Sequence, residues 1–264
     1  MSDSQRQNFW ASSLGQRVLD TEQIALETQL RRLHGSSALW VGETSTPLSL
    51  LNNCMVRQGV YLTQGSSVNS DQTRVDMPWL QGALDALPFA RNEFDGIVIH
   101  HALERLADPR AGLREAARVL APGGRIIIVG FNPISLFGLR RGYAKCIDDD
   151  FSQRRFINPI RLFDWLELLG LSLEVKPEYL EYGLPFGTSK GTSLWPQALR
   201  GGELPKQLRQ WIRRLPLGGV LTVSAVKRAL PMTLMRTKSR RGSRLAPAGY
   251  PKVVNLRAVR KDEA

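Results

Sequence analysis

A chain of 264 residues, 42% hydrophobic and 23% charged, can bury one large core, and its composition is that of a soluble globular domain, not a fibrous or wholly disordered chain. The net charge of +12 is unevenly placed: from Pro231 onward nine basic residues stand against Asp262 and Glu263, which puts +7 of the excess in the tail. The remainder is too mild to argue for a polyanionic partner of the main domain. Cys54 and Cys146 have no metal-ligand spacing and no second pair, so a disulfide framework is excluded and a reducing compartment is expected. The N-terminus has no basic region followed by an apolar run, and "LPLGGVLTVSAV" is too short to span a bilayer. These features predict a cytoplasmic chain without a transmembrane segment.

In chain order, "DTEQIALETQLRRLHG" predicts a helix capped by Asp20, with Leu26, Leu30 and Leu33 on one face and Gly35 at its end. A buried strand, "ALWVG" (38–42), follows, then a helix opened by Pro47 and a second strand, "VYLT" (60–63). "EFDGIVIHH" (93–101) is a near-continuous apolar run, as a strand covered on both faces should be. The next helix has Asp108 as cap, Pro109 in its first turn and Leu113, Ala116, Ala117 and Leu120 in one stripe. "RIIIVG" (125–130) is another buried strand, and 138–155 reads as irregular and basic. "NPIRLFDWLELLG" repeats the cap-and-proline grammar at Asn158 and Pro159, ahead of strands at 171–175 and 219–226.

This alternation predicts an α/β fold with a doubly wound, mostly parallel sheet and a ligand crevice beyond the carboxyl ends of its strands. Three parts are expected: an N-terminal helical segment (1–37), the α/β domain (38–230) with an insertion at about 177–216, and a disordered basic tail (231–264).

Residues 84–141 carry "LPF", "FDGIVI", "LREAARVLAPGG" and "GFNPISLFG" in order. The set resembles class I S-adenosylmethionine-dependent methyltransferases of the bacterial type 11 group. The resemblance implies a Rossmann-like sheet with an antiparallel last strand, S-adenosyl-L-methionine as cofactor, and methyl transfer to an acceptor that the sequence does not identify. In the family the loop after the first strand reads acid, apolar, Gly, any, Gly, any, Gly. Here Trp40 to Thr46 stand in those places and only Gly42 is retained.

By the same resemblance Gly42, Glu43 and Thr44 lie under the methionine and ribose of the cofactor. No Asp or Glu occurs between Glu43 and Asp71, so Thr63 or Gln64 replaces the carboxylate that would take the ribose hydroxyls. Ala83 stands at the adenine-binding acid, Leu84 at an apolar clamp, and Asp85 two residues on. Each lost charged hydrogen bond weakens binding by about 1.5–3 kcal/mol.

His100 and His101 end the fourth strand, where the family performs methyl transfer. They are candidates to position or deprotonate the acceptor, or else they pack the strand end. Asn132 is a candidate at the end of the fifth strand, or else part of a turn with Pro133. Arg140, Arg141, Lys145, Arg154, Arg155 and Arg161 form either a rim for an anionic substrate or RNA, or a solvated surface. Two further functions remain open at this level: a catalytically degenerate binding or regulatory module, and an RNA-associated protein anchored by the basic tail.

Overall fold

The computed structural model describes residues 9–42, 51, 54–64, 78–147, 154–180 and 217–228. The helix opened by Pro47, the residues Glu43 and Thr44, the insertion beyond residue 180 and the basic tail lie outside the described residues.

An eight-stranded sheet organises the chain. Its strands are β1 (His34–Gly42), β2 (Met55–Thr63), β3 (Trp79–Gln81), β4 (Phe94–His100), β5 (Leu120–Phe131), β6 (Leu171–Leu173), β7 (Glu178–Leu180) and β8 (Val220–Lys227). They lie in the order β3-β2-β1-β4-β5-β8-β6, with β7 also paired to β8. The first five are parallel; β8 runs antiparallel to β5, and β6 and β7 run antiparallel to β8. The expected doubly wound sheet with an antiparallel last strand is therefore present.

Alternating side chains divide the core into two layers. Leu39, Val41, Ile97 and Ile99 point to one face and pack against α2 (Pro109–Val119) and α4 (Pro159–Leu168). Ala38, Trp40, Val98 and Ile127 point to the other, against α1 (Ser13–Leu30) and the 3₁₀ turn Phe9–Ala11. The caps read from the sequence are formed: Asp108 accepts from the Arg110 N–H at 3.0 Å and Asn158 from the Ile160 N–H at 3.0 Å.

Several expectations are corrected. The first helix starts at Ser13, capped by Ser12, which accepts the Gly15 N–H at 3.0 Å; Asp20 lies inside it. The sequence contains a second run of good helix formers upstream of Asp20, and a Ser cap outcompetes a mid-helix Asp once the 3₁₀ turn folds back. That helix ends at Leu30, so Gly35 belongs to β1, which begins four residues earlier than its apolar run. Part of the stretch read as irregular is helical, α3 (Leu136–Ile147). The short strands β3 and β7 have too few residues to show a period, and β7 occupies the start of the expected insertion.

Gly15 permits the turn that seats Trp10 on the sheet. A Cβ there would lie 2.2 Å from the Phe9 carbonyl oxygen and 2.8 Å from the Trp10 Cα. Gly15→Ala is expected to cost about 1–3 kcal/mol through this overlap. Chemical denaturation of the two proteins checks it; equal midpoints would show that the turn is not held this closely.

Candidate functional site

Register places Thr63, Gly42 and His100 abreast at the carboxyl ends of β2, β1 and β4, since Gly42 pairs with both of the others. Gly42 has close neighbours: a Cβ there would lie 3.0 Å from Trp40 Nε1 and 3.3 Å from the His100 carbonyl oxygen. The Tyr61 hydroxyl donates to the Gly42 carbonyl at 3.3 Å. Trp40 is wholly buried, and its Nε1 has no hydrogen-bond partner among the described residues.

Beside this row, Gln64 in the amide orientation that satisfies both its ends donates to the Ala102 carbonyl at 3.1 Å and accepts from the Leu84 N–H at 3.2 Å. It braces two backbone segments. Leu84 is buried against the core, whereas Ala83 and Asp85 are exposed on the turn after β3.

The sequence did not disclose the centre of the site, Glu22, on α1. Its carboxylate reaches both histidines, with Oε2 2.8 Å from His100 Nε2 and Oε1 2.8 Å from His101 Nε2. Successive strand residues point to opposite faces, so two adjacent histidines cannot both meet one carboxylate from extended backbone. His101 solves this by leaving the strand with φ 52, a region uncommon for any residue but glycine. Its backbone N–H still donates to the Val129 carbonyl at 3.0 Å.

The network continues through Glu104. His101 Nδ1 lies 3.2 Å from Glu104 Oε1, which also accepts from the Phe131 N–H. Arg154 Nη1 stands 3.5 Å from Glu104 Oε2, with its guanidinium near the rings of Trp10 and Phe131. Trp10 lies 4.7 Å from the His101 ring and Phe131 4.4 Å from it, centroid to centroid. All five polar residues, Glu22, His100, His101, Glu104 and Arg154, are buried. Arg154 is thus removed from the basic rim in which its sequence neighbours place it; it answers a carboxylate inside the core.

Electrostatics decide the protonation of this cluster. For His101 burial is the largest influence and pushes the pKa down, but the charges of Glu22 and Glu104 and the hydrogen bonds to both outweigh it and raise the pKa to about 9. For Glu22 burial likewise opposes charge, yet the His101 charge and the hydrogen bonds from both histidines bring the pKa down to about 2. His101 is therefore an imidazolium at neutral pH, bonded at both nitrogens and unable to accept a proton. Asn132 is also committed: its Nδ2 donates to the Gly218 carbonyl at 2.9 Å and its Oδ1 accepts the Ile134 N–H at 3.1 Å, which pins the turn after β5.

The strand order is that of a class I methyltransferase architecture. A methyltransferase in complex with the Trm112 methyltransferase activator of Haloferax volcanii superposes with a TM-score of 0.59 at 18% identity, covering 85% of this chain and 98% of that one. Residues 58–128 match the type 11 methyltransferase domain model. The uncharacterized protein YafS of Escherichia coli K12 is 30% identical over 245 residues, 91% of this chain and 89% of its own length. The ubiquinone/menaquinone biosynthesis C-methyltransferase UbiE of Ruegeria sp. TM1040 is 32% identical over 133 residues, 49% of this chain and 48% of its own. The chain belongs to the S-adenosylmethionine-dependent methyltransferase family.

The pair Glu22 and His101 makes stability depend on pH in a stated direction. Its histidine contribution is complete below about pH 6.5 and is lost as pH rises through about 9. Its carboxylate contribution is complete above about pH 4.5 and is lost as pH falls towards 2. Glu22→Gln is expected to cost about 3–5 kcal/mol and to flatten both limbs, because it leaves an imidazolium with one carboxylate fewer. Denaturant midpoints measured across this pH range check it; parallel profiles for the two proteins would refute the assignment.

Proposed function

We propose that this chain transfers a methyl group from S-adenosylmethionine to an acceptor that approaches the carboxyl ends of β4 and β5. The observation that supports this reading is the alignment of Thr63, Gly42 and His100 at the ends of three adjacent parallel strands, in the crevice where a doubly wound sheet binds its ligands. The bound cofactor supplies an electrophilic methyl group on a sulfonium sulfur. Gly42 would let backbone pass under it, Thr63 would take the ribose position, and Leu84 would lie at the adenine end, with Gln64 bracing that end.

The residues present fit such a ligand at one telling point: the buried Trp40 N–H lacks an acceptor among the described residues and lies beside Gly42. Methyl transfer is driven largely by alignment of the reacting atoms, so rigid walls matter more than a strong base. His101, held as an imidazolium, fixes the end of β4 and does not take the acceptor's proton. His100, beside it, is the residue of the cluster that register places next to Gly42.

Glu22 and Glu104 place two carboxylates against His100, His101 and Arg154 in this cluster, so the positive charge beside the sulfonium is offset. The quinone-pathway relatives are covered over less than half of their own length, and their acceptor is not carried over to this chain.

Without a ribose carboxylate, affinity should fall about one to two orders of magnitude short of a site that has one. Titration calorimetry with S-adenosylmethionine and S-adenosylhomocysteine is expected to give saturable binding of one ligand per chain. No heat and no thermal shift up to roughly millimolar ligand would contradict the enzyme reading and favour a binding module that has kept only the fold.

A further inference from the structure

Trp40 occupies a position where the family pattern has an acid. A carboxylate there is an acceptor; an indole offers one N–H donor and no acceptor. The substitution therefore reverses the polarity of the first strand's end. The structure shows where that donor is kept. Trp40 is 0% exposed, its Nε1 stands 3.0 Å from the point a Gly42 Cβ would occupy, and Nε1 has no partner among the described residues.

A buried donor left unmatched costs on the order of 1–3 kcal/mol, and such groups are rare in folded proteins. Packing alone does not call for the nitrogen, since a phenyl ring fills the core of a sheet without this penalty. Its place beside Gly42 also gives that glycine a role in this chain: it leaves room for the indole edge as well as for the ligand.

We infer that the Trp40 indole N–H is a ligand-binding group that donates a hydrogen bond to the carboxylate of the cofactor's methionine moiety. The inference rests on the cofactor reading above and assigns one residue within it. A carboxylate is the strong acceptor that this end of the cofactor provides, and a bond from a buried neutral N–H to an ionised group belongs to the stronger class of hydrogen bonds. The same donor cannot serve the ammonium group, so the chain would orient the methionine end by its carboxylate where the family acid would act on a donor.

The test separates this role from packing. Binding is measured by calorimetry for the native chain and Trp40→Phe, each with S-adenosylhomocysteine and with decarboxylated S-adenosylhomocysteine, which lacks only the carboxylate. Trp40→Phe is expected to weaken S-adenosylhomocysteine about tenfold or more and to leave the decarboxylated ligand nearly unchanged. Equal weakening of both ligands, or no weakening of either, overturns the inference while the cofactor reading stands. Failure of the native chain to bind either ligand overturns the cofactor reading and this inference together.

A spectrum of the native chain labelled with indole-¹⁵N tryptophan keeps the question open to measurement if Trp40→Phe does not fold. Of the six indole signals, one should move on adding S-adenosylhomocysteine and stay in place with the decarboxylated ligand. Identical responses to the two ligands would overturn the assignment.

Discussion

One carboxylate, that of Glu22, holds the end of β4 in the shape the site requires. It sits on a helix 78 and 79 residues before the two histidines in the sequence, yet each of its oxygens meets one of them at 2.8 Å. Burying a charge is costly unless it is paired and hydrogen bonded, and here every member of the cluster supplies the other's need. The arrangement also holds His101 in left-handed backbone, which a free strand end would abandon. Trp10, brought down by the turn that Gly15 allows, closes the group from water.

The chemical consequence is a division of labour between neighbouring histidines. A histidine between two carboxylates is a fixed cation, so His101 contributes rigidity and charge balance. His100 shares the same carboxylate but lies abreast of Gly42 and Thr63 at the carboxyl ends of the strands. The second carboxylate, Glu104, ties this cluster to β5 through the Phe131 N–H and to the segment after α3 through Arg154. Strands β4 and β5 and helix α1 thus meet at one buried, ion-paired cluster beside Gly42.

Much of this fold was legible in the sequence. The caps at Asp108 and Asn158 and the apolar runs at 93–101 and 125–130 reflect local physics, since capping and continuous burial leave marks within a few residues. The start of α1 was missed because Asp20 mimics a cap, while the true cap at Ser12 depends on the backward fold of residues 9–11. Within the site, the two histidines stood out as polar residues closing a buried strand. Glu22 did not, although a signal existed: it lies four residues before Leu26 and eight before Leu30, a lone carboxylate in the buried stripe of a helix. Arg154 was hidden for the opposite reason, among basic neighbours that suggested a solvated surface. Asn132 was visible as a turn former, and its amide is spent on that turn.

His101 is an imidazolium at neutral pH, clamped between Glu22 and Glu104. The side-chain ¹⁵N resonances of the two buried histidines, followed from about pH 6 to pH 8, test it most directly. Both ring nitrogens of His101 should keep imidazolium shifts throughout this range, with loss of the proton only on approach to about pH 9. A titration of His101 centred near the ordinary histidine value of 6.5 would contradict the account.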